Sequence, residues 1–90
     1  MSIRRFESID PVIADTVYVD SDATVIGDVV IGEESSVWPM AVIRGDVNAI
    51  RIGERTSIQD GAIVHATHAG PFTGEGFGTE IGSDVTVGHQ

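Results

Sequence analysis

A small set of polar side chains in this chain has the chemistry to bind a metal ion or to move a proton. His65 and His89 carry imidazoles, which are common ligands of divalent metals. The remaining candidates are Arg44, Asp46, Gln59 and Asp60. Each lies within three residues of an aliphatic residue that belongs to a regular repeat. In most repeats the place directly after that aliphatic residue holds Gly, Ala or Asp, so an arginine or a histidine there is unusual.

The elements that must position these side chains follow a six-residue repeat. Aliphatic residues recur at Ile13, Val19, Val25, Ile31, Val37 and Ile43, then at Ile52, Ile58 and Val64, and finally at Ile81 and Val87. Four places after the first six of them stand small or β-branched residues, namely Val17, Ala23, Val29, Ser35, Ala41 and Val47. This pattern predicts a parallel β-helix with one short strand per hexad and the aliphatic side chains inward. No amphipathic helical pattern interrupts it, so we expect no long helix within residues 13–65.

The spacing also predicts how one domain of residues 1–90 is divided. Residues 1–12 precede the repeat and form an N-terminal cap, and residues 13–65 form regular coils. Three extra residues are inserted around Val47–Ile50. A Gly- and Pro-containing stretch, residues 66–80, forms a protruding loop, and residues 81–90 form an incomplete last coil. Glycines recur between the aliphatic residues, where they suit corners that need unusual backbone angles.

Composition excludes several classes of function. A net charge of −9, with five arginines and no lysine, disfavours binding to nucleic acid or to anionic membranes. The absence of cysteine excludes disulfides and thiolate metal sites. The N-terminal residues lack the apolar run of a signal peptide, so we expect a cytoplasmic protein.

The repeat allows a geometric prediction about the candidate residues. If three hexads form one coil, then Arg44 and His65 stack on one face at the spacing of neighbouring strands, about 4.8 Å. By the same reasoning Gln59 and His89 stack on another face. Side chains on different faces diverge, so His65 and His89 can meet only across a contact between subunits. Three such contacts close a ring with C3 symmetry.

Four short segments resemble the γ-class carbonic anhydrases. They are Val42-Ile-Arg-Gly-Asp46, Ile58-Gln-Asp-Gly61, Ile63-Val-His-Ala66 and Val87-Gly-His-Gln90, with Ser36-Val-Trp-Pro39 just upstream. They occur in the family's order and cover most of the chain from about Val19 to Gln90. The hexapeptide repeat alone is shared with many acyltransferases, so the resemblance depends on the combination.

The resemblance implies an all-β fold, a left-handed parallel β-helix, assembled as a homotrimer with metal sites between subunits. His65 and His89 match metal ligands, and the metal would be Zn²⁺, with Fe²⁺ or Co²⁺ as alternatives. Arg44 and Asp46 match an interface pair, and Gln59 and Asp60 match residues that line the pocket. These four are the candidate catalytic residues. The implied reaction is the hydration of carbon dioxide to bicarbonate by a metal-bound hydroxide.

The family's third metal histidine falls five residues after the second, beyond Gln90. The sequence therefore resembles an N-terminal portion of the family, with a β-helix truncated at its C-terminus. We expect the 90-residue chain to bind zinc weakly and to hydrate carbon dioxide poorly.

Other interpretations remain open at this point. An isolated histidine is usually structural or solvated, and Arg44 with Asp46 would serve equally as a salt bridge that holds a trimer. Asp60 could be a turn residue before Gly61, and His68 is interpreted as a loop residue. The chain could also be a hexapeptide-repeat acyltransferase or a non-catalytic scaffold. Measurements of zinc content and of acyl-CoA binding would distinguish a carbonic anhydrase from an acyltransferase.

Overall fold

Ten strands wind into a parallel β-helix within the part of the chain that the computed structural model describes, residues 1–66 and 78–89. The strands are β1 Ser2–Arg4, β2 Val12–Ile13, β3 Tyr18–Val19, β4 Thr24–Ile31, β5 Ser36–Val37, β6 Val42–Ile52, β7 Ser57–Ile58, β8 Ile63–His65, β9 Thr79–Ile81 and β10 Thr86–Val87. All pairings between these strands are parallel. Among the described residues there is no helix of the length and apolarity needed to cross a membrane.

The strands form three faces, and each face stacks one column of aliphatic residues. The first face stacks Ile3, Val25, Ile43 and Val64. The second stacks Ile13, Ile31, Ile52 and Ile81. The third stacks Val19, Val37, Ile58 and Val87. The long strands β4 and β6 run from the first face around the corner into the second. Val19 pairs with Val37 and Val25 with Ile43, so three hexads make one coil.

The core is the inside of this three-sided coil. Eight of the repeat aliphatics are at most 6% exposed: Val19, Val25, Ile31, Val37, Ile43, Ile52, Ile58 and Val64. Ile13, Ile81 and Val87 are partly buried and pack against them. Their burial in three columns confirms the predicted inward direction of the repeat, and the all-β parallel helix is confirmed with it.

The predicted insertion lies at the corner between the first and second faces. Gly27 pairs with Gly45 and Val29 pairs with Ile50, so Asp28 alone opposes the four residues 46–49. The inserted residues differ in their burial. Val47 is 41% exposed, while Ile50 is fully buried in the place expected for it. The three extra residues bulge outward before the chain returns to register, and Val47 lies on the bulge.

The recurring glycines serve two different purposes, so the prediction of unusual angles at corners holds for only part of them. Gly27 and Gly61 have positive φ, 77° and 73°. Gly45 is needed for close approach, since an added Cβ would lie 2.5 Å from the carbonyl oxygen of Asp28. Several other corners use residues with side chains in the left-handed region, including Met40 at φ 64° and Asp84 at φ 60°.

The predicted N-terminal cap and the predicted loop before the last coil both contribute residues to the sheets. The predicted N-terminal cap contains β1, which adds a strand to the first face, and an antiparallel bridge between Phe6 and Ile9. Most of the loop predicted for residues 66–80, with His68, lies outside the described residues, as does Gln90. Strand β9 begins at Thr79, so the last two residues of that predicted loop belong to the second face.

Replacing Ile43 by alanine should destabilise the coil by about 3 kcal/mol, because the side chain is fully buried and the stacked column cannot close over the cavity. Ile9→Ala is the matched control, since Ile9 is 46% exposed. Urea denaturation followed by far-UV circular dichroism measures both. Equal losses for the two variants would contradict the assignment of Ile43 to the core.

Gly45→Ala should lower the free energy of unfolding by roughly 2 kcal/mol. The added methyl group would meet backbone atoms of Asp28, which the hydrogen bonds between neighbouring strands hold in place. Gly82→Ala is the control, since its Cβ would meet only a methyl group of Val85, at an ordinary 3.9 Å. Thermal melting compares the two variants. If Gly45→Ala melts at the same temperature as the wild type, the two coils can move apart enough to accommodate the methyl group.

Candidate functional site

Arg44, Asp46 and His65 form a closed cluster on the outside of the first face, and we call it the Arg–Asp–His cluster. Strand β6 carries Arg44 and Asp46 on either side of Gly45, and β8 brings His65 directly opposite Arg44. The predicted stacking of Arg44 on His65 is thus confirmed. Arg44 Nη2 lies 3.5 Å from His65 Nδ1, and His65 Nε2 lies 3.1 Å from Asp46 Oδ1. Arg44 Nη1 lies 3.5 Å from Asp46 Oδ2, which completes the ring of contacts.

The partners favour one tautomer of the neutral His65 ring. A guanidinium has donors only, so His65 Nδ1 must accept from Arg44. An ionised carboxylate only accepts, so Nε2–H donates to Asp46. The neutral Nε2–H tautomer satisfies both contacts at once. Asp46 is the most enclosed of the three side chains, 17% exposed against 46% for Arg44 and 37% for His65.

Asp46 is held in place by the corner bulge on which it lies. Gly27 and Gly45 stack so closely that neither position has room for a side chain. Asp28 opposes the bulge from the neighbouring coil, and Arg51 Nη1 lies 2.9 Å from its carboxylate. The backbone of the bulge is therefore fixed from two sides, and the direction of the Asp46 carboxylate with it.

His89 lies at a different corner, between the third and first faces, and we call its surroundings the His89 cleft. The cleft has a volume of about 690 Å³ and is lined by Pro39, Met40, Asp60, Gly61 and His89. β-Turns from Trp38 to Ala41 and from Gln59 to Ala62 form its floor, closed by bonds of 3.1 Å between their end residues. Asp60 and His89 thus meet in one open site with apolar walls from Pro39 and Met40.

The predicted stacking of Gln59 on His89 is wrong by one residue. Val87 pairs with Ile58, and the Gln59 amide donates to the Val87 carbonyl. Gln59 therefore lies level with Gly88, and His89 comes one position further, beside Asp60 and Gly61. Gln59 itself is half-buried on the third face, directly before the cleft.

The Arg–Asp–His cluster and the His89 cleft flank the first face at opposite edges. Strand β8 separates them, since Asp60 and Gly61 precede it and His65 ends it. Three extended residues span roughly 10 Å, whereas two imidazoles that share a metal lie within about 4 Å of each other. Within residues 1–66 and 78–89, no three metal-ligating side chains of one chain converge on a common point.

The coil that carries His89 is tied to the coil below it by a surface ion pair. Arg55 donates to Asp84 through Nε at 2.8 Å and through Nη2 at 3.0 Å. These hydrogen bonds from Arg55 hold the pKa of the Asp84 carboxyl below its ordinary value of 3.8. The bidentate geometry fixes the corner that leads into β10 and so to His89.

Two parts of these sites were not identified from the sequence. Met40 and Pro39 line the His89 cleft, and a count of hexads would have found them, because Met40 lies one coil below Gly61 at the same corner. Asp28 supports the bulge. It could have been identified from the sequence because it is the single residue opposite the predicted insertion. The search for side chains that could bind a metal or move a proton did not identify these three residues.

Comparison with known proteins gives the family. Residues 10–45 match the family model of the bacterial transferase hexapeptide, six repeats. Protein YrdA of Escherichia coli is 43% identical over 88 residues, which is 98% of this chain and 48% of that protein. Gamma carbonic anhydrase 2, a mitochondrial protein of Arabidopsis thaliana, is 47% identical over 80 residues, 89% of this chain and 28% of that protein.

A solved structure agrees with the sequence matches. The crystal structure of a hexapeptide transferase family protein from Anaplasma phagocytophilum has a TM-score of 0.83 and 38% identity, covering 98% of this chain and 47% of that one. The coils and these matches define a hexapeptide-repeat protein with a left-handed parallel β-helix. Its carbonic anhydrase relatives and its site motifs show that the chain belongs to the γ-class carbonic anhydrase family. The chain spans about half the length of the E. coli relative and less of the others.

The melting temperature of Asp84→Asn should depend less on pH in the acidic range than that of the wild type. Because the folded-state pKa of Asp84 is lowered, the ion pair contributes above about pH 4 and is lost as pH falls through the folded pKa. Wild type should therefore melt slightly above the variant at pH 6, and the difference should vanish once the pH is below the lowered folded-state pKa of Asp84. Arg55→Gln should give the same profile as Asp84→Asn. Parallel curves for all three proteins would contradict a stabilising pair.

Proposed function

We propose that the protein is a γ-carbonic anhydrase-like enzyme that hydrates carbon dioxide to bicarbonate at a metal centre between subunits of a trimer. His65 of one subunit and His89 of its neighbour supply imidazole ligands. The observation that carries this proposal is the Arg–Asp–His cluster: His65 is exposed on an outer face, and a carboxylate holds its ring from behind.

The donor set fits a divalent metal. Two imidazoles suit Zn²⁺, and Fe²⁺ or Co²⁺ accept the same ligands. A metal-binding histidine usually donates its second N–H to a carboxylate, and His65 makes this contact with Asp46 at 3.1 Å. Catalytic zinc has three protein ligands, and the third histidine that the family resemblance implies falls outside the 90 residues.

The chain's own residues have distinct tasks in this proposal. A zinc ion held there would supply a Lewis acid that activates water at neutral pH. Asp46 orients the His65 ring. Asp60 presents an exposed carboxylate in the His89 cleft, where it can accept a proton from water. Gln59 lies beside it, and Pro39 and Met40 give a small apolar substrate a surface without competing hydrogen bonds.

The subunit contact follows from where the two sites lie. One edge of the first face carries His65 and the other leads to the His89 cleft, so a head-to-tail contact brings the edge of one subunit to the opposite edge of the next. Two apolar side chains lie between them on the outer side of the face. Ile63 is 73% exposed, and its ladder partner Val42 lies beside it. Such a patch beside a polar site is typical of a protein interface.

A second candidate function, acyl transfer, is favoured by the family model and by the transferase relative of known structure. In that case His89 would act as a general base for an acyl-CoA substrate in the cleft of about 690 Å³. Acyl-CoA titration against metal analysis separates the two candidates. Stoichiometric metal without acyl-CoA binding supports the carbonic anhydrase.

Complementation between two inactive variants tests the shared site. In the protein expressed from its own gene, His65→Ala and His89→Ala should each remove metal and carbon dioxide hydration. If one site uses His65 and His89 from different subunits, a refolded equimolar mixture should regain about a quarter of the sites, because half of the donors of each histidine are intact. Metal analysis and hydration rate measure this recovery.

The control for the complementation test is the same mixture without refolding, in which each trimer remains uniform and inactive. A mixture that stays empty after refolding would mean that both histidines come from one chain. Full metal content in either single variant would remove that histidine from the ligand set.

A further inference from the structure

We propose that Thr79 is a positioning residue whose hydroxyl group holds the main chain at His65. Thr79 Oγ1 donates to the carbonyl oxygen of His65 at 2.8 Å. The bond joins two residues that are 14 positions apart, the last residue of β8 and the first residue of β9. This inference deepens the proposed function and rests on it, because His65 is a metal ligand in that proposal.

Thr79 stands where the two coils below have an aliphatic residue. Thr79 pairs with Ile50, and Ile50 pairs with Val29, so the three residues form one column at the corner between the first and second faces. Val29 and Ile50 are at most 1% exposed. Packing alone would favour a third aliphatic residue here, since each coil packs on its neighbour. A hydroxyl group that breaks this pattern indicates a task that an aliphatic side chain cannot perform.

The carbonyl of His65 lies where the ladder gives it little support. Within residues 1–66 and 78–89, β8 pairs with one strand, β6, and His65 is the last residue of β8. The main chain of an edge strand has polar groups that its single neighbour does not bond. The hydroxyl of Thr79 reaches one such group from the second face. It therefore ties the end of β8 to the start of the next strand in the same coil.

Strand β9 gives the hydroxyl group a fixed starting point. All three residues of β9 pair in register with β6, beginning with Thr79 opposite Ile50. Gly78 precedes them, and a Cβ added to it would lie 3.1 Å from the carbonyl oxygen of Ala49. The strand thus begins in close contact with the bulge of residues 46–49. Because a β-branched side chain has few rotamers, this backbone also restricts the direction of the hydroxyl group.

Two supports then act on His65 at different atoms. Asp46 contacts the ring at Nε2, and Thr79 bonds the main-chain carbonyl. The first contact limits rotation of the ring, and the second limits movement of the backbone from which the side chain extends. Zinc–nitrogen bonds vary little from about 2.1 Å, so movement of one ligand's main chain weakens metal binding. The proposed site is sensitive to such movement, because its other histidine belongs to a neighbouring subunit.

Zinc titration of Thr79→Val and Thr79→Ser separates the hydroxyl group from its packing, using the protein expressed from its own gene. Valine has the shape of threonine without the hydroxyl, and serine keeps the hydroxyl. Thr79→Val should weaken zinc binding about tenfold, the lower end of the range for groups that orient a metal ligand. Thr79→Ser should bind zinc like the wild type. The melting temperature of Thr79→Val should stay close to that of the wild type, because valine fits the column.

Thr16→Val is the matched control for the zinc titration. It makes the same chemical change at the corner between the second and third faces, where the Thr16 hydroxyl accepts from the Glu34 amide at 2.7 Å. Its zinc affinity should equal that of the wild type. A loss in Thr16→Val as large as that in Thr79→Val would overturn the inference, because any lost threonine hydroxyl would then have the same effect.

Carbon-13 NMR of histidine carbonyls gives a readout that needs no metal. Loss of a hydrogen bond at a carbonyl oxygen changes the electron distribution of the carbonyl group and moves its carbon signal. The His65 signal, identified by its absence in His65→Ala, should move in Thr79→Val and keep its position in Thr79→Ser. An unmoved signal in Thr79→Val would overturn the inference.

The outcomes distinguish this inference from the proposed function. If the wild type and Thr79→Val bind zinc equally, the positioning role is wrong and the metal centre stands. Equal weakening in Thr79→Val and Thr79→Ser also overturns the positioning role, because both changes would then act through packing. If the wild type itself binds no zinc, the proposed metal centre is wrong, and the positioning of a ligand by Thr79 is wrong with it.

Discussion

The parallel register between successive coils determines where every described side chain of this protein lies. Each coil is hydrogen-bonded to the next through three short strands, and each strand buries one aliphatic residue on the axis. A shift of one residue would turn that aliphatic side chain outward and a polar one inward. Any extra residue must therefore leave the ladder at a corner. The three additional residues before Ile50 do so, and the bulge they form carries Asp46 to the edge of the first face.

The same constraint explains how far the sequence could predict the site. Residues next to a repeat aliphatic inherit its register, so the pairing of Arg44 with His65 follows directly from Ile43 and Val64. His89 stands two places after Val87, whereas Gln59 stands one place after Ile58. The prediction that Gln59 stacks on His89 did not take this difference of one residue into account. The burial of Ile50 in place of Val47 was not predictable in the same way. The spacing shows that three residues are extra, but packing decides which of the apolar residues returns to the core.

Glycine illustrates a further limit of reading from the sequence. At corners it was expected to supply unusual backbone angles, and Gly61 does so. At Gly45 the requirement is distance: a neighbouring carbonyl lies where a Cβ would be. This second requirement depends on how two coils stack and leaves no local signature in the chain. Met40, with a positive φ at the corner where the next coil has Gly61, shows that the angle alone does not demand glycine.

A filled interior also explains why the proposed site needs a second surface. The aliphatic columns occupy the axis of the helix, so polar groups with a chemical role must point outward. Outward groups on neighbouring faces diverge, and a metal ion needs ligands from several directions. In the proposed trimer, a neighbouring copy would turn a convex corner into one wall of a site. The scaffold can then acquire different chemistries by changing outward residues alone, since these do not enter the core. Carbonic anhydrases and transferases both appear among the relatives of this chain, as expected if the buried repeat sets the fold and the exposed corners set the reaction.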